Sequence, residues 1–215
     1  MLLSLTTANR AFAFVSATGA ALLGVIALYS SGIDLIDPKL HRALGFALAL
    51  VVAVGASRNK RGARSRALGI FDLTADLALV VLGLWSIWSF LFVQTQMEEA
   101  LYDISSKDVW PAVAGLTVFL ELCRRLWGWA LFAVGVFGAL YLIYGQNLPG
   151  ILSHTGFSLK EVSEALWYNT NKGVFGGISN IILSTVFIFI IFGTLLEGTG
   201  AGRTLLKFAF MLTRR

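Results

Sequence analysis

Asp72 and Asp76 stand four residues apart in the stretch FDLTADLAL, so on a helix they share a face and could bind a cation or relay protons. The same spacing has a structural use. Both follow the basic run from Arg58 to Arg66, and at a helix start carboxylates satisfy free amides and complement the helix dipole. The structural use is the expectation. Glu121, Arg124 and Arg125 are spaced three and four apart, so the carboxylate can pair with either guanidinium. A lone charge near the bilayer centre costs about 2.5 to 3.5 kcal/mol on insertion scales, which favours pairing close to the interface. The trio is therefore read as structural, fixing the angle between two nearly continuous helices. Gly198, Gly200 and Gly202, just after Glu197, imitate the opening of a nucleotide-binding fingerprint. They follow a long apolar run with no strand before it, so they are expected to end a helix and permit a turn. A single cysteine, Cys123, and two distant histidines, His41 and His154, exclude a disulfide framework or a zinc motif. No nucleophile–base pair has catalytic spacing. The chain is read as no enzyme, with no catalytic or metal-ligating residue and no resident cofactor.

The elements that must position these groups are membrane helices. Hydrophobic residues make up 57% of the 215 residues, charged residues 13%, and the mean hydropathy is +0.77; an ordinary globular domain is about 25% charged. A bilayer core of about 30 Å needs roughly 20 helical residues. Ala11 to Ser30, Leu77 to Val93, Leu126 to Tyr144 and Ile178 to Leu196 meet that test. Ala43 to Ala56 is short, but Arg42 and Arg58 flank it and could snorkel to the two interfaces. Trp110 to Cys123 is interrupted by Glu121 and could either span or lie flat.

Charge placement arbitrates. If all six segments span, 12 basic residues lie on one side (Arg10, Arg58, Lys60, Arg61, Arg64, Arg66, Arg124, Arg125, Arg203, Lys207, Arg214 and Arg215) and 5 on the other. If Trp110 to Cys123 does not span, the split is 8 against 9. The first arrangement obeys the positive-inside rule, so the expected fold is an all-α integral membrane protein of about six spans with both termini cytoplasmic. The net charge of +5 sits in short clusters between apolar runs, which argues for topology signals and against nucleic acid. The first apolar run exceeds the length of a secretory signal core and is read as a retained span.

Two outward loops carry local structure. Phe157, Ser158, Glu161 and Val162 fit a capping box with a hydrophobic staple, so a short helix should start there. Leu159, Val162, Leu166 and Trp167 then share a face that could rest on the membrane interface or pack on the protein itself. In the acidic loop from Gln94 to Asp108, Asp108 as N-cap and Pro111 early in the helix mark another helix start.

The stretch NKGVFGGISNIILSTVFIFIIFGTLLEGTGAG from Asn171 resembles the start of the large membrane domain in fused permeases of tripartite ATP-independent periplasmic (TRAP) transporters, especially the TAXI type. The residues that carry the likeness are Val174, Phe175 and Gly176, then Phe192, Gly193, Glu197, Gly200, Ala201 and Gly202, with Val174 where the family has glycine. LHRALGFALAL from Leu40, ELCRRLWGWAL from Glu121 and YGQNLPGILSHTGFSL from Tyr144 look like the same family. The resemblance implies import of small organic anions across the cell inner membrane, driven by a cation gradient, with sodium as the coupling ion. A periplasmic substrate-binding protein and the remaining large permease domain would be the partners, within the lipid bilayer. It also implies that residues 1–170 are a small-subunit-like region with its connection, and 171–215 the start of the large domain, together part of a static scaffold that does not transport by itself. A non-transporting membrane assembly or adaptor subunit is the alternative. Substrate-binding residues remain unassigned.

Overall fold

A backbone surrounded by lipid must satisfy its own N–H and C=O groups, so the long apolar runs become helices. Glycines and polar caps then set where each one stops. The computed structural model describes residues 2–33, 37–61, 66–99, 102–147, 149–150 and 153–213. In chain order these form α1 (Leu2–Ile33), α2 (Pro38–Arg61), α3 (Arg66–Glu99), α4 (Ser106–Trp127), α5 (Trp129–Tyr144), α6 (Leu159–Ser163), α7 (Gly177–Ile181), α8 (Phe187–Gly198) and α9 (Ala201–Thr213). α6 runs on into a π-helical turn, Glu164–Tyr168, and a second such turn, Ile182–Val186, joins α7 to α8 in one unbroken helix. No strand occurs among the described residues, and the protein is an all-α membrane protein. Arg64, Arg214 and Arg215, which enter the charge count, lie outside the described residues.

Among the described residues five stretches are long and apolar enough to cross a membrane: Phe12–Ser30, Pro38–Arg58, Phe71–Glu99, Trp129–Asn147 and Gly177–Gly198. The sixth expected span lies inside α4, where Lys107, Asp108, Glu121, Arg124 and Arg125 keep the helix below that standard of apolarity. At 22 residues α4 is still about 33 Å long at the usual rise. It packs along α3 from the Ser86 hydroxyl, which donates to the Pro111 carbonyl at 2.6 Å, to the Arg125–Asp76 ion pair at 2.6 Å.

From α1 to α5 successive helices are antiparallel. His41 meets Ser30 at one end of the α1–α2 hairpin, here called the upper end, and Gly55 meets Ser16 near the other. Between α2 and α3, Lys39 pairs with Glu98 above and Arg58 with Asp76 below. Between α4 and α5, which almost adjoin in sequence, the chain reverses as six spans require, at Gly128, whose φ of 94° lies in the left-handed region that favours glycine. Leu120 of α4 then packs onto Gly135 of α5.

The core forms where α2, α3 and α4 meet under the inward-running segment 165–176. Phe175, fully buried, stacks on Phe90 with ring centroids 3.9 Å apart and meets Phe46 and Trp167 edge-on at 4.7 and 5.0 Å. Trp167 fits a notch at Gly115, where an added Cβ would lie 2.3 Å from its ring. The amphipathic segment thus packs on its own protein: Val162 and Trp167 are buried, while Leu159 remains exposed. Its capping box forms as expected, with Ser158 as N-cap and Glu161 receiving the Ser158 N–H at 2.7 Å. Asp108, expected as N-cap, is instead the third residue of α4. Ser105 is the cap, and its N–H donates to the Asp108 carboxylate at 2.8 Å.

Candidate functional site

Asp76 lies ten residues inside α3, which begins at Arg66, so its carboxylate cannot serve the amides at that helix start. It shares the buried stripe of α3 with Gly83, Ser86, Phe90 and Val93, and its side chain is wholly excluded from solvent. Burying an unpaired carboxylate costs several kcal/mol. Two neighbouring helices supply the compensation. Arg58 of α2 donates through Nη1 to one Asp76 oxygen at 3.0 Å, and Arg125 of α4 donates through Nη1 to the other at 2.6 Å. Arg125 also donates through Nε to Glu121 at 2.5 Å. Arg124 closes a two-point fork on Glu121, with both bonds 2.7 Å long.

Ring contacts extend the network outward at both sides. The Arg58 guanidinium lies 5.0 Å from the Phe12 ring of α1, and that of Arg124 lies 5.0 Å from the Trp129 ring of α5. Five successive helices are thereby tied at the lower end. Guanidiniums stay charged at any ordinary pH, and both Asp76 oxygens already receive one. A cation would have to displace an arginine to bind. The arrangement is a clamp, and it does not have the form of an ion-conducting or proton-relaying site. The sequence paired Glu121 with Arg124 and Arg125 correctly. It missed the bridge to Asp76 and Arg58, which the periodic match of Asp76 to the buried stripe could have revealed.

The upper end carries a second polar cluster. The Asp108 carboxylate accepts from the Tyr102 hydroxyl at 2.8 Å and from the Ser105 hydroxyl at 2.9 Å. Donation to that carboxylate pushes the Tyr102 phenol above its ordinary value. Tyr168 is buried with its hydroxyl donating to the Asp108 carbonyl at 2.8 Å, while Gln94 donates to the Tyr168 carbonyl at 2.6 Å. Lys160 holds Asp103 at 2.8 Å, so much of the acidic loop is neutralised by the protein's own lysines. Arg42, expected to snorkel, instead turns to the junction after Tyr168 and donates through Nη1 to the carbonyls of Thr170 and Phe175, at 2.9 and 3.0 Å.

The glycine-rich group stands apart from both clusters. α8 ends at Gly198, Gly200 adopts φ 71° in the turn, and its N–H donates to the Glu197 carbonyl at 3.1 Å. The Glu197 side chain is exposed and Gly202 lies within α9. Gly198 and Gly200 end a helix and turn the chain, whereas Gly202, expected to share that work, belongs to the next helix.

Residues 114–214 match the family model of the tripartite ATP-independent periplasmic transporter, DctM component. Over that stretch the chain is similar to a transporter component. The matched part takes in Glu121, Arg124, Arg125, Trp167 and Phe175, whereas Arg58 and Asp76 lie before it. No curated protein and no solved structure matches the chain.

Proposed function

We propose that this multi-pass membrane protein is the scaffold part of a TRAP-type permease, of the fused TAXI kind, in the cell inner membrane with both termini cytoplasmic. The observation that carries the proposal is the match to the DctM component over residues 114–214. In this reading residues 1–170 are the small-subunit-like region with its connection, and 171–215 open the large domain. The complete permease imports small organic anions delivered by a periplasmic binding protein, driven by a cation gradient with sodium as the coupling ion.

The lower clamp supports a static role. Asp76, Arg58 and Arg125 join α2, α3 and α4 through charge-assisted bonds, and the aromatic cluster around Phe175 fastens the matched segment onto them. Helices held in this way suit a frame against which another domain moves. The test is uptake by vesicles holding this chain, a remaining large domain and a binding protein. Sodium-dependent uptake that vanishes when this chain is omitted is the expected result. Uptake by this chain alone, or uptake indifferent to its omission, overturns the scaffold reading, and the second outcome favours an adaptor.

A further inference from the structure

At the upper end of the bundle Lys39 of α2 joins two carboxylates: Asp37, whose Oδ2 lies 3.4 Å from Nζ, and Glu98 near the end of α3. Both acids stay open to their surroundings, while Lys39 is mostly covered. Asp37 and Lys39 form the rim of a groove of about 370 Å³ between α2 and α3. Polarity falls with depth along its α3 wall: Thr95 and Gln96 come first, then Leu91 and Phe92, and last Trp88. From Glu98 down to Trp88 the helix descends about 15 Å at the usual rise, half of a hydrocarbon core of about 30 Å. Trp88 is 71% exposed, so the deep end opens sideways, where the bilayer lies.

A groove that is charged at the membrane surface, polar just below it and apolar to mid-depth has the layering of one phospholipid. The rim chemistry selects the headgroup. An ammonium has three N–H groups, so Lys39 keeps one for a phosphate oxygen after meeting two carboxylates, and each ionised carboxylate has lone pairs for more than one donor. Charge-assisted bonds to a second ammonium are therefore available beside the phosphate. We propose that this groove binds a phosphatidylethanolamine, with its ammonium on Asp37 and Glu98, its phosphate against Lys39, and an acyl chain along Leu91, Phe92 and Trp88. A phosphatidylcholine headgroup has no N–H to donate, and phosphatidylglycerol has no positive charge to set against the two acids. The assignment is independent of the transport reading and requires only that the chain sit in a bilayer.

The experiment uses the full chain purified in a maltoside detergent. Thermal unfolding is followed as phosphatidylethanolamine, phosphatidylcholine or phosphatidylglycerol with identical acyl chains is added at equal mole fraction. The expected result is a saturable rise in Tm of about 2–4 °C with phosphatidylethanolamine at a few times its Kd, and a smaller rise with the other two. Thr95→Trp fills the groove below the rim and should abolish the difference among the lipids. Asp37→Asn with Glu98→Gln keeps acceptor oxygens but removes both charges, so the phosphatidylethanolamine rise should fall to the phosphatidylcholine level. Where a variant fails to fold, native mass spectrometry of the unaltered chain in an equimolar mixture of the three lipids gives the same reading, with one phosphatidylethanolamine retained in preference. No rise, equal rises with all three lipids, a rise with phosphatidylglycerol as large as that with phosphatidylethanolamine, an undiminished preference in Thr95→Trp, or no preferential retention overturns the proposal.

Discussion

α3 and the helix running from α7 through α8 are both apolar and long enough to cross a membrane, yet the protein treats them differently. Inside Phe71–Glu99, 33% of the most apolar window is buried; inside Gly177–Gly198 the share is 6%, and it is also 6% in Trp129–Asn147. Apolarity cannot be the cause, because lipid tails are as apolar as leucine and give no hydrophobic reason to prefer protein contact. The difference lies in what interrupts the apolar run. α3 carries Asp76, Gly83, Ser86, Ser89 and Gln94 towards its neighbours, and each meets a bonding partner or a closely fitted side chain. α5 has no buried residue at all, and the α7–α8 helix touches the α1–α2 hairpin through only a few positions such as Leu183 and Ile191. On α3 the polar and small residues lie on the packed face beside Ile87, Phe90 and Val93, whereas Phe189, Ile190 and Phe192 of α8 stay exposed to lipid or to other protein.

The sharpest way to break that contrast is to remove the acid at the centre of the clamp. Asp76→Ala removes the buried carboxylate that receives both Arg58 and Arg125 and should cost about 3–5 kcal/mol in denaturant unfolding from detergent. Thr194→Ala, which removes a neutral hydroxyl at an exposed site in α8, should cost less than about 0.5 kcal/mol. Equal costs for the two would remove the distinction. Replacing Asp76, Arg58 and Arg125 together by apolar residues should recover much of the loss, because the penalty belongs to unpaired charge.

The aromatic residues provide the next contrast. Phe175→Ala empties a fully buried site among Phe46, Phe90 and Trp167 and is expected to cost about 3–5 kcal/mol. Phe189→Ala, in the same segment of sequence but 70% exposed, should stay within about 0.5 kcal/mol. Glycine gives a smaller contrast of the same kind. An added Cβ at Gly115 would lie 2.2 Å from the Ser86 hydroxyl, so Gly115→Ala should cost about 1–3 kcal/mol. At Gly138 of α5 the added Cβ meets nothing within 4 Å, and alanine there should stabilise the helix by up to about 1 kcal/mol. Thermal unfolding of both variants measures the pair.

Much of this was legible in the sequence wherever the physics is local. Run length and charge located the helices, S-x-x-E found the start of α6, and three- and four-residue spacing found the pairing of Glu121. Contacts made across helices were not legible. Asp76 looked like a helix-start residue because the basic run before it was read as loop, whereas α3 extends back to Arg66. Arg42 looked like a residue that reaches for the interface, since nothing local shows that carbonyls 128 and 133 residues further on will meet it. Six spans imply a reversal at Arg124 and Arg125, but its place at Gly128 was hidden because the apolar run continues straight through it. Long-range pairing depends on which faces meet, and one helix's periodicity states only that a face exists.

The smallest expected effect lies at the start of α6, the short helix that leads into buried Trp167. The Ser158 N–H, and after it the Ser158 hydroxyl, holds the Glu161 carboxylate below its ordinary value of 4.5. A carboxylate depressed in the folded state adds stability above its unfolded value, and that contribution is lost as pH falls through the folded value. Protection factors for amide exchange in α6 should therefore decline between about pH 5 and pH 3 relative to those in α3, whose packing does not depend on this cap. Glu161→Gln can still reach the Ser158 N–H but cannot titrate, so its α6 protection should be flat over that interval. If α6 in the unaltered chain is equally flat, the cap contributes nothing, and burial of Val162 and Trp167 alone holds the segment; if α3 declines in step with α6, the two regions unfold as one unit and the contrast between packed core and exposed periphery fails at this point.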